Sequence, residues 1–141
     1  MISYVTVLLF GAVIGSFLNV CIYRLPREES VAWPASHCPS CRQAIAFYDN
    51  IPIVSYLLLR GRCRACHAPI AIQYPVVEAA NAIGYVLVFW TFGFAPAAWA
   101  YAALASALIV VTGTDLSHPM IPDAVKLPGI DIVLLCSMLI L

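Results

Sequence analysis

Met1 to Tyr23 carries no charged side chain. A bilayer core is crossed by about 20 consecutive apolar residues in helical form, so this one run commits the chain to a membrane-spanning helix. A cleaved secretory leader would place Lys or Arg ahead of its apolar stretch. None precedes this run, which therefore reads as a retained span.

A second uncharged stretch runs from Ala79 to Thr114. It is too long for one crossing, and Gly93-Phe94-Ala95-Pro96 divides it. Gly and Pro this close together punctuate a turn. The pattern predicts helices over 75–92 and 97–113, joined as an antiparallel hairpin. The second of these is rich in alanine between Ala97 and Ala107. Small residues let helix backbones approach closely in lipid, so this helix is expected inside the bundle. A further apolar run begins near Leu127, and Gly129 to Leu141 supplies 13 residues of it. That is about 20 Å of helix against about 30 Å of hydrocarbon, an unfinished span. The expected fold is an all-α polytopic membrane protein with three complete transmembrane helices, an incomplete fourth and a small zinc-ribbon-like loop. A chain 63% hydrophobic and 10% charged fits that class, since soluble domains carry about 25% charged residues.

The net charge is zero, but its distribution is informative. Of seven basic residues, six (Arg24, Arg27, Arg42, Arg60, Arg62 and Arg64) lie between positions 24 and 64, and only Lys126 lies elsewhere. The block sits between apolar runs beside Glu28, Glu29 and Asp49, which argues against a nucleic-acid partner. Short loops rich in Lys and Arg stay cytoplasmic. The loop over 24–74 is therefore expected in the cytoplasm, the N-terminus outside, and Asp115 on the loop's side. No sequence repeat is evident. The organisation is a first helix over 1–23, the loop over 24–74, and the start of a second membrane unit over 75–141.

Within the loop, Cys38-Pro39-Ser40-Cys41 and Cys63-Arg64-Ala65-Cys66 are separated by 21 residues. Two C-x-x-C pairs at this distance have the spacing of a tetrahedral zinc ribbon. A reducing cytoplasm disfavours structural disulfides, so Cys38, Cys41, Cys63 and Cys66 are expected to hold structural Zn²⁺. The flanking Arg42, Arg62 and Arg64 would favour thiolates, besides setting topology. His37 and His67 read as exposed loop residues. Cys21 and Cys136, in apolar runs, read as small hydrophobes.

Ionisable groups at membrane depth are candidates for function. Asp115 follows the third predicted helix, and Pro119 and Pro122 come soon after it. Freed backbone groups at such a break need cover from protein or a water-filled cavity, which is where an intramembrane hydrolase would keep a carboxylate. The competing reading is an ordinary interfacial aspartate. Asp123 reads as the cap of the fourth run, and Glu78 as a first-turn acid complementing a helix dipole. Asp131 has no assigned role.

In chain order, Gly15-Ser16-Phe17-Leu18-Asn19, Tyr23-Arg24-Leu25-Pro26, the first C-x-x-C, Asn50-Ile51-Pro52 and Gly61-Arg62-Cys63 follow one another. Tyr74-Pro75-Val76-Val77-Glu78, Asp115-Leu116 and Ile121-Pro122-Asp123 complete the series. This ordered set resembles the prepilin peptidases, or type IV leader peptidases, over nearly the whole chain. The resemblance implies a bifunctional enzyme of the bacterial inner membrane. Such an enzyme removes the leader of type IV prepilins or type II secretion pseudopilins, and many members then methylate the new N-terminus with S-adenosylmethionine. It implies an intramembrane aspartyl protease in which Asp115 matches the first catalytic aspartate. The four cysteines match a cytoplasmic zinc-binding segment tied to methyl transfer. The family's second aspartate lies in a Gly-x-Gly-Asp motif, which does not occur here. The polypeptide alone is accordingly expected to lack peptidase activity and to need a missing C-terminal portion. The alternative is a non-catalytic zinc-ribbon membrane protein serving assembly or docking.

Overall fold

A computed structural model describes residues 3–117. The fourth apolar run, with Asp123, Asp131 and Cys136, lies outside the described residues. Among those described, the protein is all-helical, with two isolated β-bridges and no strand. Helix α1 is Tyr4–Arg24 and continues into a 3-10 turn at Leu25–Arg27. The loop contains a second 3-10 turn, Phe47–Asn50, and the short helix α2, Val54–Leu58. Helix α3 is Gln73–Phe92 and α4 is Pro96–Ser117. As expected, α1, α3 and α4 are long and apolar enough to cross a membrane; 20 residues of helix reach about 30 Å.

The boundaries follow local chemistry. Pro75 falls in the first turn of α3, where its missing N–H has no helical partner to lose. Pro96 opens α4 with its φ already set for a helix. Gly93, at φ 65°, makes the turn between them. Two expectations shift. Because α3 begins at Gln73, Glu78 stands in its second turn rather than its first. Helix α4 also runs beyond 113, so Asp115 lies within it rather than after it. There Thr114 is buried, and its hydroxyl lies 2.9 Å from the Val110 carbonyl and 2.8 Å from that of Val111. It therefore satisfies itself inside the helix instead of ending it.

The tightest packing is α1 on α3. A Cβ built on Gly11 would lie 2.8 Å from the Ala82 Cα, and one on Gly15 would lie 2.7 Å from the Glu78 Cα. The pair is a Gly-x-x-x-Gly face, which brings two helix backbones together in lipid. Asn81, fully buried, donates through Nδ2 to the Gly11 carbonyl at 2.7 Å. It accepts from Ser106 Oγ at 2.9 Å, so one amide ties together α1, α3 and α4. Val7, Tyr85, Phe89, Ala98 and Ala102 form the core toward the α3–α4 turn. Leu18, Ile22, Val77 and Val110 form it toward the loop.

Among the described residues, α4 packs on α1 and α3 along one face. It buries a single stripe, Ala98, Ala102, Ser106, Val110 and Thr114, while Trp99 and Leu108 are exposed. Its small residues fit one narrow i, i+4 seam, and three described helices cannot surround any one of their number.

Candidate functional site

Each Cys-x-x-Cys pair closes a tight knuckle. In the first, Cys38 N–H donates to the Gln43 carbonyl at 3.0 Å and Arg42 N–H to the Cys38 carbonyl at 2.8 Å. In the second, Cys63 N–H donates to Ala68 at 2.9 Å and His67 N–H to Cys63 at 3.0 Å. Arg42 and His67 both sit at φ 58°, the left-handed conformation that lets the chain turn back after the second cysteine. The bridges His37–Ala44 and Arg62–Pro69 complete the match. Every one of these positions recurs 25 residues later, a structural repeat that sequence inspection passes over because the cysteines are its most visible shared residues.

The two knuckles face each other. Cys38 Sγ lies 3.7 Å from Cys66 Sγ and Cys41 Sγ lies 4.0 Å from Cys63 Sγ, with all four sulfurs within 4.8 Å of one another. These distances far exceed a disulfide bond of about 2.0 Å, and the four thiols could together hold one metal ion. Neither His37 nor His67 joins the cluster. The Cys41 N–H, against the opposing effect of burial, holds the Cys38 thiol down at about 6, helped by the Ser40 N–H and the neighbouring thiols. Cys66 receives help from the Ala68 N–H, yet burial and the other three thiols push it up to about 11. The knuckle's own N–H groups, rather than the flanking arginines, thus favour thiolate at Cys38. Arg64 is engaged elsewhere: its Nε and a terminal nitrogen grip the Asp49 carboxylate at 2.7 and 2.6 Å, pinning the Phe47–Asn50 turn to the second knuckle.

Between the knuckles and the loop-side ends of the helices lies a cavity of about 720 Å³. Tyr23 and Arg27 of the α1 end, Tyr48 and Tyr56 of the loop, and Ser117 of α4 contribute to its wall. Its membrane-side floor is polar, formed by Ser16 and Asn19 on α1 and Tyr74 and Glu78 on α3. Glu78 is buried. Its Oε2 accepts the Ile53 N–H at 2.7 Å, and Ser16 bonds the same carboxylate. The dipole role expected for Glu78 is therefore replaced by a structural clamp on the loop. Arg24 is buried as well and donates to the carbonyls of Ser30 and Pro34 at 2.8 and 2.7 Å, tying the start of the loop to α1. Asp115 is exposed in the last described turns of α4 and is not part of the cavity wall.

Residues 9–92 match the family model for the bacterial peptidase A24 N-terminal domain. The chain belongs to this family. Among curated proteins it is 39% identical over 123 residues to a prepilin leader peptidase/N-methyltransferase of Myxococcus xanthus, covering 84% of this chain and 36% of that protein. It is 40% identical over 140 residues to one from Pectobacterium carotovorum, covering 83% of this chain and 50% of the relative. A type 4 prepilin-like proteins leader peptide-processing enzyme of Escherichia coli is 40% identical over 131 residues, with 80% and 49% covered. The chain thus spans half or less of the length of these relatives. No solved structure matches it.

Asn19, Asn81 and the Gly11–Gly15 pair escape a reading that weighs only charges and cysteines. The available signals were two asparagines inside apolar runs, each a polar group in need of a partner at membrane depth, and the Gly-x-x-x-Gly spacing itself.

Proposed function

We propose that this chain forms the N-terminal part of an inner-membrane enzyme that cleaves the leader from prepilins or pseudopilins and N-methylates the new terminus. The observation that carries the reading is the cavity of about 720 Å³ enclosed between the four-cysteine loop and the helix ends, in a chain whose relatives are named for both activities. The loop, with its six arginines, faces the cytoplasm. The loop over 24–74, tied to methyl transfer, follows the first helix over 1–23, and 75–141 begins the peptidase unit.

The metal is zinc, bound by Cys38, Cys41, Cys63 and Cys66. A tetrahedral Zn–S length of about 2.3 Å requires sulfurs about 3.8 Å apart, and the two close pairs stand at 3.7 and 4.0 Å. With all four positions taken by protein, the site is structural, and it holds the two knuckles that roof the cavity.

The cavity fits S-adenosylmethionine, whose bound form would supply the methyl group. Sites for ligands of this size measure about 300–1,000 Å³. Tyr23, Tyr48 and Tyr56 offer ring surfaces for an adenine, and Arg27 offers a cation for a carboxylate. Asp115, outside the cavity, serves the separate proteolytic chemistry as one of two carboxylates. The family resemblance assigns its partner to a Gly-x-Gly-Asp motif, which does not occur in this sequence. One of the pair would be ionised to activate water and the other protonated to polarise the scissile carbonyl.

Equilibrium dialysis of labelled S-adenosylmethionine against the detergent-purified chain tests the cavity, and stoichiometric binding is expected. A chain that binds none would remove the methyl-transfer half of the reading. For the peptidase half, this chain fused to the C-terminal half of the Pectobacterium relative should cleave a prepilin, and Asp115→Asn should abolish cleavage. Full cleavage by the Asp115→Asn fusion would refute the role given to Asp115.

A further inference from the structure

The floor of the cavity holds one buried acceptor that lacks a donor, the Asn19 amide oxygen. Asn19 is 3% exposed. Its Nδ2 donates to the Tyr74 carbonyl at 3.0 Å, which fixes the amide's orientation. Its Oδ1 then has no hydrogen-bond partner, alone among the buried side-chain oxygens and nitrogens of the described residues. Leaving a buried acceptor unpaired is costly, and such groups mark a missing water, ion or ligand.

Glu78 follows one helical turn along α3 from Tyr74, and the Ser16 that bonds it is nearly a turn from Asn19 along α1. The carboxylate accepts from Ile53 and Ser16, both uncharged. Among the described residues no Lys, Arg or His lies within ion-pair distance of it, the ion pair found there being that of Arg64 with Asp49. A buried carboxylate without a countercharge either holds a proton or is met by a cation. Both residues line the same cavity; of the arginines that border it, Arg24 and Arg27 lie one and two turns further on from Asn19, and Arg64 is paired with Asp49. The membrane floor thus combines an unpaired amide oxygen with a carboxylate that has no cation within ion-pair distance.

We propose that Asn19 and Glu78 form the seat of a primary ammonium group carried by the ligand of this cavity. An ammonium has three donors and one positive charge, which answers the orphaned amide oxygen and the uncompensated carboxylate together. The inference rests on the reading of the cavity as the methyl-transfer site. In that reaction two molecules carry such a group, the amino-acid moiety of the methyl donor and the free N-terminus of the peptide acceptor.

The test uses the 141-residue chain in detergent and two matched pairs of probes. One pair is S-adenosylhomocysteine and its deaminated analogue. The other is a short apolar peptide with a free N-terminus and its N-acetylated form. The wild-type chain should prefer the ammonium-bearing member of one pair by about tenfold or more, the worth of a hydrogen bond to a charged group. The preferred pair identifies the source. Asn19→Leu and Glu78→Gln should erase the preference while metal content and elution volume stay unchanged. Glu78→Gln keeps an acceptor for Ile53, so it remains informative if Asn19→Leu folds poorly. Binding of a pair with no preference in the wild type, or a preference that survives both variants, overturns the seat and leaves the methyl-transfer reading standing. A wild-type chain that binds neither pair overturns both.

Discussion

The Glu78 carboxylate accepts the Ile53 backbone N–H at 2.7 Å across 25 residues of sequence, and in doing so it holds a β-branched side chain at φ 61°. With ψ at −49° this is a sparsely populated conformation for a side-chain-bearing residue and costs roughly 1–3 kcal/mol. Strain of this kind persists where surrounding contacts over-determine it, and here the clamp brings α2 over the cavity floor.

The clamp makes a prediction about position 53. Ile53→Ala and Ile53→Gly both remove the half-buried side chain, so their difference isolates the backbone. Glycine adopts positive φ freely but loses about 0.5–1 kcal/mol of extra chain entropy, less than the strain it relieves. Ile53→Gly should therefore be the more stable of the two by about 0.5–1 kcal/mol, read from thermal unfolding in detergent. Equal stability, or a more stable alanine variant, would mean that the position is unstrained.

The close approach of α1 to α3 predicts a contrast between two glycines. At Gly15 a methyl group would sit 2.7 Å from the Glu78 Cα, and neither backbone can yield without the helices separating. Gly15→Ala should cost about 1–3 kcal/mol. Gly84, in the same pair of helices, has nothing within 4 Å of its built Cβ, so Gly84→Ala should gain up to about 1 kcal/mol of helix propensity. Unfolding midpoints that move together in the two variants would remove the packing argument.

Much of this was legible in the sequence. The spans were visible because charge is excluded from lipid-facing helix, and the four-cysteine cluster because two C-x-x-C pairs have few other uses. The role of Glu78 was not. A glutamate near a helix start looks the same whether it faces solvent or a folded loop, and only the loop's return over α3 decides between them. The extent of α4 was misjudged where Asp115 closes the uncharged stretch, because the helix runs on to Ser117 and Thr114 bonds its hydroxyl back to the preceding turn. The knuckle repeat was hidden for a similar reason. Arg42 and His67 share a backbone conformation and no chemistry.

The link from Ser106 to Asn81 should show modest coupling despite complete burial. Ser106→Ala leaves the Asn81 amide oxygen without its donor at 2.9 Å. Inter-helix hydrogen bonds in lipid are worth about 0.6 kcal/mol on average and at most about 1.7. A double-mutant cycle with Asn81→Leu should return a coupling in that range. A value near zero would show that this bond does not help to join α4 to α3.

Metal binding should strengthen as pH rises. In the metal-free cluster Cys38 titrates at about 6 and Cys66 at about 11, so near neutral pH the first is largely thiolate and the second still holds its proton. Four-thiolate coordination must expel that proton, and the apparent affinity therefore climbs with pH until the last thiol is free. Competition against a chromophoric chelator between pH 6 and 8 should show the rise, with proton release measurable in weakly buffered solution. The variant Cys63→Ser, Cys66→Ser removes one sulfur from each close pair and should bind at least about 1,000-fold more weakly, since thiolate ligands supply most of a structural site's binding free energy. Affinity that stays flat with pH, or a variant that retains the metal, would mean that the ion is held by something other than these four sulfurs.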